Sequence, residues 1–191
     1  VGSFYNPSAV VIETDFLKTL PEDIFLDGIA EVIKYSLIYD KEIYNLLCNQ
    51  DIDMPQVILK CVQAKKYFVM SDYKDHGLRN ALNFGHTIAH AIEKDSNFAV
   101  SHGKAVAMGM AMAEKYIAKD TLIYKKICSM LERFCLPVEY YNKENLIKYI
   151  CQDKKIEFDK VRFVLLEDIG KYKFEFISIE QIKNMLSYNG E

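Results

Sequence analysis

Apolar positions recur at helical spacing along most of the chain. In the stretch 28–39, Ile29, Val32, Ile33 and Leu37 fall three or four apart and so gather on one side of a helix. Upstream, Pro21 with Glu22 and Asp23 suits a first helical turn. Proline lacks the N–H that would be orphaned there, and acidic side chains favour the positive end of the helix dipole. The pattern predicts a helix opening at Pro21, a second over 28–39 and a third over 55–70. Further helices are predicted near 79–94, 102–118, 121–134 and 143–151. The polar run 71–77 reads as a loop.

The period changes at the two ends. Ala9-Val10-Val11-Ile12 is a short β-branched apolar run between Asn6-Pro7 and Asp15, the pattern of a buried strand. Near the C-terminus, residues 161–166 and 172–177 are strand-like, and Asp168-Ile169-Gly170-Lys171 joins them as a hairpin. Ser178 and Gln181 form a capping-box pattern opening a last helix, with Ile179, Ile182 and Leu186 on one side. The expected fold is mainly α, a multi-helix domain with a small β-hairpin near the C-terminus and one N-terminal strand. A lone buried strand needs a sheet to join. Residues 1–20 are therefore read as the remnant of a preceding domain and 21–191 as the helical domain.

Composition narrows the function class. Of the 191 residues half are hydrophobic and 27% charged, with 24 Lys+Arg against 27 Asp+Glu, a net charge of −3. That is the balance of a folded globule. An isoelectric point near 5.9 argues against a nucleic-acid binder working by bulk charge. No apolar run reaches the roughly 18 residues of a membrane span, and no secretion signal opens the chain. The opening Val1-Gly2-Ser3-Phe4 reads as mid-protein sequence. The five cysteines show no C-x-x-C spacing and read as reduced thiols of a cytoplasmic protein.

The chemistry concentrates in one region. Three of the four histidines, His86, His90 and His102, lie close together in the sequence. His86 and His90, four apart, share a helix face, and Asn83 and Arg79 continue the stripe. A cation, an amide and two imidazoles do not make a core-facing stripe. His102 opens a helix rich in small residues (Gly103, Ala105, Ala107, Gly109, Ala111, Ala113), which allow a close helix approach and so a position beside His86. Zinc in catalytic sites takes three protein ligands and leaves one position open, so a carboxylate or a further histidine is wanted. Glu31 stands among apolar residues, where an unpaired carboxylate is costly, and a metal would account for it. Lys34 lies one turn on, on the same face. Against this, an i,i+4 histidine pair is more often plain helix surface, a lone Glu is more often solvated, and Thr87 stands where the zinc-protease helix has Glu. Spacing alone reaches a metal or anion site on a helical scaffold.

Three segments carry a resemblance: Gly28-x-Ala30-Glu31-Val32-Ile33-Lys34, then residues 77–93 with Asn83-Phe84-Gly85-His86-Thr87-x-x-His90-Ala91-x-Glu93, then His102-Gly103-x-Ala105-Val106-x-x-Gly109-Met110. With the late Asp153-Lys154-Lys155, they make the chain resemble the C-terminal domain of the 3-dehydroquinate synthases, within the sugar phosphate cyclases. The resemblance runs through essentially the whole chain and covers about the second half of the family's length. It implies metal ligands at Glu31, His86 and His102, with zinc as the metal and cobalt as a substitute. It places Lys65 and Arg79 at the substrate carboxylate, Asn83 and His90 at its phosphate, and Lys34 near its hydroxyls. A phosphate-binding lysine is implied at Lys154 or Lys155. The sequence departs from the family at Ala89, where many members have Gly, at Asp75-His76-Gly77 for Glu-x-Gly, and at Tyr5-Asn6-Pro7 for His-Gln-Pro.

The implied reaction converts 3-deoxy-D-arabino-heptulosonate 7-phosphate into 3-dehydroquinate and phosphate, a lyase step of the shikimate pathway to chorismate and the aromatic amino acids. NAD is implied as bound chiefly by the N-terminal half of the family's chain, so the partners implied are that half, the sugar phosphate and a second copy in a homodimer. Without the NAD-binding half the chain is expected to be inactive alone. The competing readings are a related cyclase with another sugar phosphate and a metal-dependent hydrolase complete in itself.

Overall fold

The computed structural model describes residues 5, 7–151, 156–157 and 159–187. Lys154 and Lys155 lie outside them, so the implied phosphate lysine has no structural account.

After a 3-10 turn over Thr14–Thr19, helix α1 runs from Glu22 to Ile38. It is one continuous helix, whereas the sequence suggests a break before Gly28. A side chain added at Gly28 would meet nothing within 4 Å, so neither packing nor backbone strain singles this glycine out. Its propensity cost, about 1 kcal/mol against Ala, is overridden by the buried face carrying Ile29, Ile33 and Leu37. Helix α2, Lys41–Cys48, is absent from the sequence reading. It is short and starts at Asp40, whose carboxylate accepts from the Glu42 N–H. Helix α3 covers Met54–Ser71, with Asp53 as its cap and Pro55 in its first turn.

The expected helix over 79–94 divides. Leu78–Asn83 is a 3-10 turn, Gly85 stands at φ +77°, and helix α4 runs from His86 to Asp95. Helix α5 spans His102–Met112 and continues as a π-helical turn, Ala113–Ala118. Helix α6 is Thr121–Arg133, and α7 is Leu146–Ile150.

A three-stranded antiparallel sheet follows, β1 (Ile156–Glu157), β2 (Lys160–Asp168) and β3 (Lys171–Ser178), in the order β1-β2-β3. The hairpin is as expected, with Val161 opposite Ile177 and Leu165 opposite Lys173, and a bulge beside Leu166. Its tip turns at Gly170, whose N–H donates to the Leu37 carbonyl at 2.8 Å and ties the sheet to the end of α1. Helix α8, Ile179–Ser187, starts with the capping box: Gln181 N–H donates to Ser178 Oγ, and Ser178 N–H to Gln181 Oε1. All five cysteines are free thiols.

The expected N-terminal strand is not observed. Residues 9–13 have no strand partner, and Val10 and Val11 are 73% and 91% exposed. A β-branched run makes a strand only when another strand offers its hydrogen bonds, and the sheet formed by the described residues is at the other end of the chain.

One core links these elements, from Ile29 and Leu37 through Phe68, Phe84, Ile92 and Met110 to Leu165. Within it Glu114, in the π-helical turn, is fully buried. Its Oε1 accepts from the Leu166 N–H at 2.8 Å, while Oε2 has no partner. Burial pushes this carboxyl up to about 7, with Asp120 adding to the rise and the Leu166 N–H and Lys173 opposing it. The folded state thus keeps a proton that the unfolded chain releases near pH 4.5. Stability from this group is present below pH 4.5 and declines as pH rises to about 7. At 1.4 kcal/mol per pKa unit the loss is on the order of 3 kcal/mol. Glu114→Gln, which keeps the acceptor, is expected to be the more stable protein at pH 8 and to show a flatter profile between pH 5 and 8. Urea unfolding at a series of pH values reads both.

Candidate metal centre

Three close contacts bring the histidines to Glu31. Gly85, in the left-handed region, lets α5 lie against the start of α4, since a Cβ there would sit 2.7 Å from Met110 Cγ and 2.8 Å from Met110 N. Gly109 faces it, and its own Cβ would fall 2.1 Å from the Gly85 carbonyl oxygen. At the other end of α5, a Cβ on Gly103 would lie 2.3 Å from Asp27 Cα. Ser101 Oγ also donates to Asp27 Oδ1 at 2.6 Å. Asp27 is one helical turn before Glu31, so seating Gly103 on Asp27 carries His102 to Glu31. The small residues of α5 thus do what their spacing suggested.

Glu31, His86 and His102 each present one ligand atom, all within 4.8 Å of one another. Glu31 Oε1 is 3.5 Å from His86 Nε2 and 3.7 Å from His102 Nε2. Ligand atoms around a tetrahedral zinc at 2.0–2.1 Å stand roughly 3.3 Å apart. Oε1 of Glu31 is buried and accepts no hydrogen bond.

The histidines explain why. His86 Nδ1 is 3.0 Å from the Phe84 carbonyl, a pure acceptor, so Nδ1 carries the proton and Nε2 a lone pair. Burial, with Lys34 nearby, pulls the ring down to about 4, so it is neutral at pH 7. His102 Nδ1 is 2.9 Å from Glu93 Oε1, an acceptor that calls for the proton on Nδ1 and turns Nε2 to the centre. A carboxylate oxygen and two imidazole Nε2 atoms face one another. That donor set fits a divalent cation.

The other carboxylate oxygen, Oε2, accepts from Lys34 Nζ at 2.6 Å. Burial pushes the Glu31 carboxyl up, but Lys34, by its charge and its hydrogen bond, outweighs it and holds the carboxyl below the usual range. Lys34 is only 3% exposed. Burial lowers its ammonium from the ordinary lysine value, Glu31 opposes that, and Lys65 on α3 adds to it. Lys65 itself is exposed, on the side facing Lys34.

The remaining candidates are arranged differently from a single stripe. His90 keeps its place one turn beyond His86, ring centroids 5.7 Å apart. Arg79 and Asn83 belong to the 3-10 turn before Gly85, because the left-handed glycine ends one helix and redirects the chain into another. Arg79 Nη1 donates to the Tyr73 carbonyl at 3.4 Å, and Asn83 Nδ2 lies 3.5 Å from Asn80 Oδ1. Asp72 shapes this loop: its carboxylate accepts from the N–H groups of His76, Gly77 and Arg79. Those bonds hold it below its usual pKa. Sequence reading assigned no role to Asp72 or Glu93. A carboxylate seven residues after His86, on the same helix face, is the signal that would have singled out Glu93.

Comparisons with known proteins give the chain's family and fold. Residues 28–156 match the family model described as 3-dehydroquinate synthase C-terminal. The chain belongs to that family. It is 42% identical over 184 residues to the 3-dehydroquinate synthase of Clostridium tetani, covering 90% of this chain and 49% of that protein. The Clostridium kluyveri 3-dehydroquinate synthase is 39% identical over 201 residues, covering 97% and 55%. The chain thus spans about half the length of the curated relatives it matches. Two solved structures share the fold. The 2-epi-5-epi-valiolone synthase of Streptomyces hygroscopicus, solved with NAD+ and Zn2+, superposes with a TM-score of 0.83 at 21% identity, over 98% of this chain and 57% of that one. A 2-deoxy-scyllo-inosose synthase, complexed with carbaglucose-6-phosphate, NAD+ and Co2+, gives 0.71 at 19% identity, over 87% and 53%. No helix among the described residues is long and apolar enough to cross a membrane.

Proposed function

We propose that this chain is the metal- and substrate-binding half of a 3-dehydroquinate synthase, which turns 3-deoxy-D-arabino-heptulosonate 7-phosphate into 3-dehydroquinate and phosphate. In this reading residues 1–20 connect to an NAD-binding half, the working enzyme is a cytoplasmic homodimer, and the metal is zinc, with cobalt as a substitute. The observation that carries the reading is the meeting of Glu31 Oε1 with the Nε2 atoms of His86 and His102. The sequence likeness to named 3-dehydroquinate synthases supports the choice of reaction.

Each residue then has a task. Glu31, His86 and His102 hold the cation, which when bound supplies Lewis acidity to the substrate's hydroxyl oxygens. NAD, when bound, supplies the hydride chemistry. Arg79, with a forked guanidinium, and Lys65 hold the carboxylate. Asn83 and His90 face the phosphate, with Lys154 or Lys155 as its further cation. Lys34, held by Glu31, stands over the hydroxyls and moves protons there.

A second reading, a cyclase acting on another sugar phosphate, has the fold shared with the valiolone and inosose synthases in its favour. Arg79 and Lys65 favour a carboxylated substrate. Steady-state assays of the enzyme with its nucleotide-binding half, offered several sugar phosphates, decide between them. We expect the carboxylated heptulosonate phosphate to be preferred, and preference for a substrate without a carboxylate would overturn the assignment. The 191-residue chain alone, given NAD and zinc, is expected to form no dehydroquinate. Turnover of simple phosphate esters without NAD would instead make it a hydrolase.

A further inference from the structure

We propose that Glu93 is a positioning residue that sets the tautomer and direction of His102 for the cation, an inference that rests on the metal reading above. His102 opens α5 with its side chain 49% exposed, so packing does little to orient the ring. The ring meets the edge of the His86 ring, with centroids 5.3 Å apart, has Glu31 Oε1 3.7 Å from Nε2, and has the Glu93 carboxylate 2.9 Å from Nδ1. His86 takes its orientation from a backbone carbonyl, which no side-chain change removes. His102 Nδ1 is bonded instead to a side-chain carboxylate, that of Glu93.

Glu93 is placed for this. It sits two turns after His86 on α4, while His102 lies on α5, so one hydrogen bond links the two helices that carry the imidazoles. The Glu93 side chain is itself only 14% exposed, so its carboxylate is held in place while the bond lies at the surface through His102. Ionised, it is an acceptor only, so it requires the proton on Nδ1 and leaves Nε2 bare towards Glu31. An imidazole hydrogen-bonded to a carboxylate is also a more basic ligand. The alternative is an ordinary surface ion pair, which would matter little to anything.

The experiment compares the full chain with Glu93→Ala and Glu93→Gln. Zinc affinity is read by competition with a chromophoric chelator, cobalt coordination by visible absorption, and ring tautomers by long-range nitrogen NMR of the metal-free protein. Glu93→Ala should weaken zinc about 10- to 100-fold. It should also move His102 towards the Nε2–H form while His86 stays Nδ1–H. Glu93→Gln, whose amide oxygen accepts the same bond, should restore both most of the way. Equal zinc affinity in the Ala variant and wild type would overturn the proposal, as would equal loss in both variants or an unchanged tautomer. A wild-type chain that binds neither zinc nor cobalt would overturn the metal reading instead. The tautomer spectra, which need no metal, would still show whether Glu93 sets the ring.

Discussion

Glu31→Gln is expected to lower zinc affinity about 1,000-fold while leaving the fold intact. The carboxylate supplies the one anionic ligand, and a neutral amide oxygen is a poor replacement in an N/O site. At 1.4 kcal/mol per factor of ten this is about 4 kcal/mol, a modest part of the 10–16 kcal/mol typical of a tight zinc site. Gln is the informative substitution because Lys34 is buried and its ammonium needs an acceptor. Glu31→Ala would strand that ammonium and mix unfolding with metal loss. Lys34→Ala provides the contrast. It removes a cation 2.6 Å from the proposed ligand, so zinc should bind at least as well as in wild type. Metal content by mass spectrometry after dialysis, with thermal unfolding in parallel, tests the pair. Zinc retained by Glu31→Gln at wild-type affinity would remove Glu31 from the ligand set.

Gly109→Ala should cost about 3–5 kcal/mol or prevent folding. Its Cβ would fall 2.1 Å from the Gly85 carbonyl oxygen, 3.0 Å from Gly85 C and 3.1 Å from Ala89 N. All three atoms are backbone, and the Gly85 carbonyl accepts the Ala89 N–H that starts α4. No rotamer change relieves such a clash. The helices must separate or the first turn of α4 must break, a heavier penalty than the usual 1–3 kcal/mol of an overpacked core. Gly28→Ala is the control, since a Cβ there has open space and the helix gains propensity. It should be neutral to slightly stabilising. Urea denaturation compares the two, and a Gly109→Ala protein as stable as Gly28→Ala would mean the helices are not pressed together as described.

Much of this site was legible because its evidence is chemical and local. Histidines at i,i+4, a carboxylate in an apolar run and a string of small residues each point to a role from type and spacing, and the structure brings Glu31, His86 and His102 together. What was misread depends on partners remote in sequence. The run 9–12 has strand composition but no neighbour to pair with. The helix expected over 79–94 is divided because Gly85 must yield to α5, which the local sequence of that stretch does not reveal. The unbroken α1 reverses the error, since burial of one face outweighs a weak residue at Gly28. Glu114 and Glu93 look like solvated helix residues until the backbone of β2 and the ring of His102 are placed beside them.

The hydrogen bond from the Gly170 N–H to the Leu37 carbonyl has a bearing on folding order. It joins the hairpin tip near the chain's end to the helix that bears Glu31 and Lys34. Closing so long a loop is an entropically late event. The C-terminal end of α1 is thus fastened late, while the turn that carries Asp27 and Glu31 is already held against α5 by Gly103 and Ser101.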